Sequence, residues 1–357
     1  MSASPACHSY SSATMTLLHM AAGSWIGQAV HVAAKLGIAD VLENGPKTPP
    51  QIATVTGSHP EALHRLLRML AGLGIFEEDA EGRFGLTALA DGLRSQAPVS
   101  LRAFAIMLGE EMLWRPWGDL HHAVQTGEAA FAHVFGEALY DYLGMHPQAA
   151  TIFDAAITDR ARQENRAVVE AYDWWPDTIV DVGGGQGSLL AEIFAQAPNA
   201  RGVLFETPHV ADRAKTMIDQ AGLARRCEVI GGDFFQSVPT ADGLYLMRRV
   251  MHGWSDESAT VILRNCRKAM RQDGRLLIIE HVLAPGNAPS WGKMLDLQQL
   301  VLSTGGRERS EAEYANLLAA AGFKLERVIP TSSTASLIEA IPVAEGRLID
   351  PANVVAN

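Results

Sequence analysis

The chain has 357 residues, 48% of them hydrophobic and 19% charged, the composition of an ordinary globular protein with length for about two domains. A formal net charge of −11 argues against a nucleic-acid partner, which would call for a basic face. Cys7, Cys227 and Cys266 lie far apart, which excludes a disulfide framework and suits a reducing compartment.

The Ser/Ala-rich opening (residues 1–14) lacks a basic stretch followed by an apolar run, and no run of 18 apolar residues occurs. Neither a signal peptide nor a membrane span is therefore expected, and the expected location is cytoplasmic, with no membrane partner. Residues 15–42 carry apolar side chains at helical spacing (Leu17, Leu18, Trp25, Ile26, Ala29, Val30, Ala33, Leu36, Ile38). They predict helix that is apolar on more than one face, a surface that one chain cannot easily bury alone. Thr48 before Pro49-Pro50 predicts a short capped helix that Gly57-Ser58 ends. Pro60 through Leu73 predicts a second helix with Leu63, Leu66, Leu67 and Leu70 on one side. Gly74–Phe76 and Arg83–Leu86 read as short strands around the acidic turn Glu77–Gly82. Together these form a winged-helix pattern. A DNA reader needs basic residues on its second helix. Arg65 and Arg68 are there, but the wing tip is acidic, so the expected role is protein–protein association.

Residues 100–170 predict helices rich in aromatic side chains and methionine, among them Met107, Trp114, Trp117, Phe131 and Phe153. Most suit packing between helices; some suit the wall of an apolar pocket for a flat ligand. His121-His122 are adjacent, yet no two histidines sit three or four apart. The one-face helical pair of a zinc site is missing, and no metal is expected.

From about residue 171, strand and helix alternate. Strands are predicted at Thr178–Val182, Gly202–Phe205, Cys227–Gly231, Gly243–Met247 and Arg275–Glu280, with helices between them, including Pro208–Ala221 and Ser255–Arg271. A further helix opens with a Ser310/Glu313 capping box and stops at Gly322. Phe323–Ile329 and Thr334–Ile341 predict a closing antiparallel pair. The fold class is therefore α/β, a doubly wound, mostly parallel sheet preceded by a mainly helical domain. Between the first strand and its helix lies Asp181-Val-Gly-Gly-Gly-Gln-Gly187. Glycines at 183, 185 and 187 do not match the dinucleotide G-x-G-x-x-G, and no Gly-Lys-Ser/Thr ending makes a phosphate loop. Ligands of such sheets bind beyond the carboxyl ends of the strands. Asp181, Glu206 and Asp233 fall there, with Glu206 about twenty residues past the loop, where ribose hydroxyls are usually held.

The acid-plus-glycine loop resembles that of S-adenosylmethionine-dependent methyltransferases. Gly231-Gly-Asp-Phe-Phe-Gln-Ser-Val-Pro239, Met247-Arg-Arg-Val-Met-His-Gly-Trp-Ser-Asp-Glu257 and Gly305-Gly-Arg-Glu-Arg-Ser310 extend the match. Over nearly its whole length the chain is similar to the small-molecule O-methyltransferases of the plant caffeate and bacterial antibiotic-tailoring type. The resemblance implies a winged-helix dimerisation domain (1–110), a helical linker lining the substrate pocket (111–170), a Rossmann-like class I methyltransferase domain (171–342) and a tail (343–357) without counterpart. It implies a homodimer that uses S-adenosylmethionine, leaves S-adenosylhomocysteine, and acts on an aromatic small molecule. Asp181, Gly183 and Gly185 would meet the methionyl part, Glu206 the ribose, and Asp233 and Phe234 the adenine, with Arg248 nearby. His252 matches the general base, and Glu280 and Glu308 the acids that orient it. Met107, Trp114, Phe153, Ile157, Trp254, Gln299 and Ser303 would line the acceptor pocket. Plant relatives clamp the ring between methionines. Ile157 and Gln299 stand at the matching positions, and Gln299 points to a more polar or hydrogen-bonding acceptor.

The chemistry agrees on its own terms. A phenol with a pKa near 10 is little ionised at neutral pH, and a histidine can accept its proton as the oxygen attacks. Two alternatives stay open: the same fold and cofactor serving C- or N-methylation or a non-methylating tailoring reaction, and a winged-helix ligand-sensing regulator.

Overall fold

A computed structural model describes residues 11–174 and 178–343. Cys7, the start of the opening segment and the tail beyond Val343 lie outside the described residues. The chain forms two compact units: one of the residues up to Trp114 with Pro147–Arg160, the other of Arg115–His146 with the chain from Ala161 onward.

In the first unit the apolar stretch expected to be helical is divided into Ser12–Ala21, Gly23–Lys35 and Ile38–Val41. Gly37 supplies the left-handed residue (φ +66°) that turns the chain into the third piece. Helices Pro49–Thr56 and Pro60–Gly72 follow. Thr48 and Gln51 close a capping box on the former. Strands β1 (Phe76–Glu78) and β2 (Phe84–Leu86) pair antiparallel as the wing. At the wing tip Asp79 Oδ1 accepts the backbone N–H of Glu81 and Arg83, and Arg83 Nε lies 2.7 Å from Asp79 Oδ2, so the acidic tip carries its own counter-charge. Ala33, Ile38, Leu42, Ile52, Leu63, Leu67, Leu70, Phe76 and Phe84 form the core. The helix Ser12–Ala21 contributes no buried residue.

The second unit is built on a sheet of seven strands. They are β3 (Thr178–Val182), β4 (Arg201–Glu206), β5 (Cys227–Gly231), β6 (Leu244–Arg248), β7 (Arg275–Glu280) and, past the short β8 (Val282–Leu283) and β9 (Arg309–Ser310), β10 (Phe323–Pro330) and β11 (Ser336–Pro342). The order is β10-β11-β7-β6-β3-β4-β5. β3 to β7 run parallel; β11 joins β7 antiparallel, and β10 joins β11 likewise. Successive residues of a strand face opposite sides. Val180, Tyr245, Met247, Leu276 and Ile278 pack under Asp256–Ala269 and Glu311–Ala320; Ile179, Leu244, Leu246, Leu277 and Ile279 pack under Ser188–Gln196 and Pro208–Gln220. Both faces are covered, so the strands read as apolar runs. Strand order reverses beside β3, the switch point where such sheets open a crevice at the strands' carboxyl ends. No helix among the described residues is long and apolar enough to cross a membrane.

Leu17 and Leu18 are 68% and 46% exposed and Trp25 72%, a large apolar area for a folded chain to leave in water. A second copy is the expected cover. Replacing both Leu17 and Leu18 by Asp removes two side chains worth about 1.5–3 kcal/mol each when buried. Sedimentation should then show the dimer dissociation constant raised by about a hundredfold or more, with the helical circular dichroism unchanged. Identical sedimentation of variant and wild type would place the interface elsewhere.

Candidate active site

The glycine loop leaves β3 at its carboxyl end. Gly183, Gly185 and Gly187 adopt φ of +74°, +58° and +81°, a region costly for side chains with a Cβ. A Cβ on residue 183 would lie 2.8 Å from Val250 Cγ2, on 184 it would lie 2.5 Å from Asp181 Oδ2, and on 187 it would lie 2.8 Å from Leu204 Cδ1. At 185 nothing stands within 4 Å, so this backbone faces open space. Asp181 is buried to 1% exposure and neither carboxylate oxygen has a hydrogen-bond partner. Burial pushes its pKa up to about 7, against the pull of Arg248. An orphaned buried carboxylate under an open glycine cradle fits a ligand that brings a positive charge. Glu206 closes β4. Its Oε2 accepts the Thr207 N–H at 3.3 Å, and burial raises its pKa. Asp233 is exposed, and its Oδ1 accepts the Phe235 N–H at 2.8 Å. The Phe234 ring stands edge-on to Phe235 and Trp254, at 5.0 and 6.0 Å. Arg248 Nη2 lies 2.8 Å from Glu164 Oε2.

Past β6 the chain turns sharply and carries His252 in the 3₁₀ turn Met251–Gly253. Glu280, the last residue of β7, accepts the His252 backbone N–H at 3.2 Å through Oε1. His252 Nδ1 lies 3.2 Å from Glu308 Oε1 and 3.6 Å from Glu280 Oε2. Both acids have fully buried side chains, while His252 keeps 17% of its side-chain surface open. A carboxylate on Nδ1 fixes the tautomer with the proton there and leaves the Nε2 lone pair free. Burial lowers the His252 pKa to about 4, with Arg249 adding to the fall and Glu280 and Glu164 opposing it. Burial raises the pKa of Glu280 and of Glu308, opposed by His252 and Arg249 at the first and chiefly by Arg249 at the second.

The run Gly305–Ser310 explains itself here. Buried Arg309 donates to the carbonyls of Met251 and Trp254, each at 2.8 Å, and through Nε to Asp256 Oδ1. It locks the turn that presents His252. The Arg307 N–H donates to the His252 carbonyl at 2.8 Å, and a Cβ on Gly306 would stand 3.0 Å from that oxygen. Glu308 is held by its own N–H on Asp296 Oδ1 at 2.9 Å. Arg249, Glu164, Arg309 and Asp296 did not stand out in the sequence. The doubled basic Arg248-Arg249 at the end of an apolar strand was the available signal.

Of the expected pocket residues, Gln299 Nε2 lies 3.4 Å from His252 Nδ1, and Ser303 Oγ donates to Gln299 Oε1 at 3.3 Å. The Trp254 ring packs edge-on against Phe235 at 4.8 Å. Met107, Trp114, Phe153 and Ile157 belong to the first unit; Met107 is buried, Phe153 half-buried, and Trp114 and Ile157 exposed. In the second unit Phe131, Phe135 and Tyr142 form an aromatic cluster with centroids 4.7–5.5 Å apart, consistent with packing. Asp119, His122 and His133 also converge. Yet His133 Nδ1 is engaged by Asp119 at 2.6 Å, and its ring lies flat on His122 at 3.7 Å. Two parallel stacked rings share no in-plane point for one ion.

A parallel sheet whose order reverses beside β3 and which ends in an antiparallel pair, with a glycine cradle over an unpaired buried acid, agrees with the class I S-adenosylmethionine-dependent methyltransferase fold, and similarity to known proteins shows that class. The O-methyltransferase domain family matches residues 117–324, and the O-methyltransferase dimerisation domain family residues 18–95. The chain is 47% identical over 328 residues to the phenazine O-methyltransferase PhzM of Lysobacter antibioticus, covering 92% of this chain and 96% of that one. It is 32% identical to the phenazine-1-carboxylate N-methyltransferase of Pseudomonas aeruginosa, covering 89% and 94%. The structure of CalO1, a methyltransferase in calicheamicin biosynthesis, in its S-adenosylhomocysteine-bound form, superposes with a TM-score of 0.83 at 34% identity, covering 93% and 98%. The protein belongs to the O-methyltransferase family with an N-terminal dimerisation domain, and its methyl donor is S-adenosylmethionine.

Asp181 offers a test through pH. Unfolded, it ionises near 3.8; folded, near 7. As pH rises between these values the unfolded chain loses a proton that the folded one keeps, so folding weakens across that window and levels off above it. Asp181→Asn lacks this penalty. Its melting temperature, measured without methyl donor, should gain on wild type from about pH 4 to about pH 7, while calorimetry shows its S-adenosylmethionine affinity reduced. Parallel melting curves across the window would place the Asp181 carboxylate in contact with a compensating charge. Gly185→Val should abolish donor binding, both by strain at φ +58° and by filling the open face.

Proposed function

We propose that this antibiotic- or phenazine-tailoring-type methyltransferase acts on a hydroxyl of an aromatic small molecule of secondary metabolism, with His252 as general base. One observation carries the reading: a histidine at the ligand-binding edge of the sheet, its Nδ1 against buried Glu308 and its backbone N–H on Glu280. Asp181, Gly183 and Gly185 would hold the methionyl part of the cofactor, Glu206 the ribose, and Asp233 and Phe234 the adenine, with Arg248 beside them. When bound, S-adenosylmethionine would supply an electrophilic methyl carbon, its bond to the sulfonium breaking as the acceptor bonds to it and the electron pair staying on sulfur in S-adenosylhomocysteine. His252 Nε2 accepts the hydroxyl proton as the oxygen commits its electron pair to that carbon. Because burial keeps His252 weakly basic, proton transfer accompanies oxygen attack instead of preceding it. Glu308 and Glu280 hold the ring and stabilise the imidazolium. Gln299, at 3.4 Å from the base, supports an acceptor with further hydrogen-bonding groups. The match to the dimerisation domain supports a homodimer.

N-methylation is the second reading, favoured by the N-methyltransferase relative. A nitrogen acceptor with a free lone pair needs no proton removed before attack. The two readings part on one substitution. His252→Gln should keep S-adenosylmethionine affinity and lower kcat by about 10²–10⁴-fold on a phenolic acceptor, the loss shrinking as the phenol becomes more acidic. Glu280→Gln and Glu308→Gln should cost less, and the three effects should be non-additive. In wild type with S-adenosylmethionine held saturating, kcat/KM for the acceptor should stay level through neutral pH and fall only as pH drops toward about 4, where His252 takes up a proton. A His252→Gln enzyme as fast as wild type on a weakly acidic phenol would remove the general-base assignment and favour nitrogen.

A further inference from the structure

Arg249 is the one non-glycine among the described residues with positive φ, at +56°. An arginine held in the left-handed region costs energy, and such residues persist where the surroundings over-determine them. The Arg249 N–H still pairs with the Ile279 carbonyl at 3.1 Å, as a strand residue would. The guanidinium, 18% exposed, donates through Nη1 to Glu280 Oε2 at 2.9 Å and through Nη1 and Nη2 to Glu308 Oε1 at 3.3 Å. One arginine thus joins both acids that touch His252.

Charge counting shows what this does. Glu280 and Glu308 are wholly buried, and a buried charge without a partner is strongly destabilising. Two carboxylates against one imidazole would be relieved if the imidazole stayed protonated, and a protonated ring is no base. Arg249 cancels one of the two charges. The group then carries about one net negative charge with His252 neutral, and none when His252 has taken a proton. The cluster can receive one proton during the reaction without holding one beforehand. We propose that Arg249 is a positioning residue that clamps Glu280 and Glu308 together and, by neutralising one of them, keeps His252 an unprotonated base. The inference rests on His252 being the base proposed above.

The other charges around His252 do not replace it. Glu164 is paired with Arg248. Arg309 is spent on the Met251 and Trp254 carbonyls and on Asp256. Asp296 accepts the Glu308 N–H. His281 Nδ1 bonds the Thr334 carbonyl, and burial lowers its pKa to about 4. Tyr314 is buried, and its pKa is pushed up by that burial and by the two glutamates. The Arg249 charge works in the required direction, lowering the His252 pKa beyond the effect of burial.

The test follows His252 itself in full-length protein carrying ¹³C-labelled histidine, by nuclear magnetic resonance without any acceptor; its signal is assigned by its loss in His252→Gln. Arg249→Met should raise the His252 titration midpoint by about one unit or more, about a tenfold loss of free base at a given acidic pH. Arg249→Lys should hold it near the wild-type value. Arg249→Met combined with Glu308→Gln, which removes a negative charge along with the positive one, should bring it back down. Should Arg249→Met fail to fold, Glu308→Gln with and without Arg249→Met carries the comparison: the double variant should titrate higher than Glu308→Gln alone, and equal midpoints overturn the proposal. An unshifted midpoint in folded Arg249→Met, or a double variant that titrates like the single one, overturns the proposal. A shifted midpoint together with undiminished methyl transfer by His252→Gln supports the clamp and removes only the base assignment.

Discussion

The end of β7 sets a constraint that the rest of the site answers: two carboxylates, Glu280 and Glu308, have no exposed side-chain surface. Water cannot solvate them, so protein must supply every counter-charge and donor. Arg249, the His252 backbone N–H and the His252 ring do so for both oxygens of Glu280 and for Oε1 of Glu308, while Glu308 Oε2 is left without a partner. The left-handed backbone at Arg249, the short turn that follows it, and the arginine that ties the turn down all serve that requirement. Arg309 belongs to the same construction. Its three partners lie on the turn and at the start of the next helix, so the loop carrying His252 is tied at three points.

The glycine loop and the His252 turn meet at Val250. Val250 follows Arg249 and precedes His252 by two residues, and its Cγ2 stands 2.8 Å from where a Cβ on residue 183 would be. The glycine at 183 lets the strand-end turn press against the loop. The glycine loop and the turn that carries His252 therefore pack directly against each other. Asp181 and the His252 cluster use burial in opposite ways. Asp181 stands without a partner and suits a ligand's positive charge; Glu280 and Glu308 share Arg249 as a counter-charge, with only Glu308 Oε2 unpaired between them.

Acceptor choice is the variable part of the site. Gln299 and Ser303, at the end of the helix Trp291–Leu302, set a polar pair next to the base. The similar enzymes include an O-methyltransferase and an N-methyltransferase of phenazines, so scaffold and cofactor do not choose the acceptor atom.

The sequence by itself determined whatever local patterning dictates. Apolar runs bounded by turns marked β3, β5 and β7 at their observed limits. Ser310/Glu313 and Thr48 marked helix starts, and the glycines at 183, 185 and 187 marked the loop whose left-handed dihedrals exclude most side chains. The motif residues His252, Glu280 and Glu308 were legible through resemblance, and the fold brings them together. The division of the 15–42 stretch into three helices was not legible, because its breaks depend on one left-handed glycine and on packing. Nor were the duties of Arg249, Arg309 and Glu164. Arg248 meets Glu164 across 84 positions, and His252 meets Glu308 across 56. Such pairings satisfy no local propensity. They arise because burying the sheet's carboxyl edge removes water from several charges at once, and only the folded chain decides which arginine neutralises which acid.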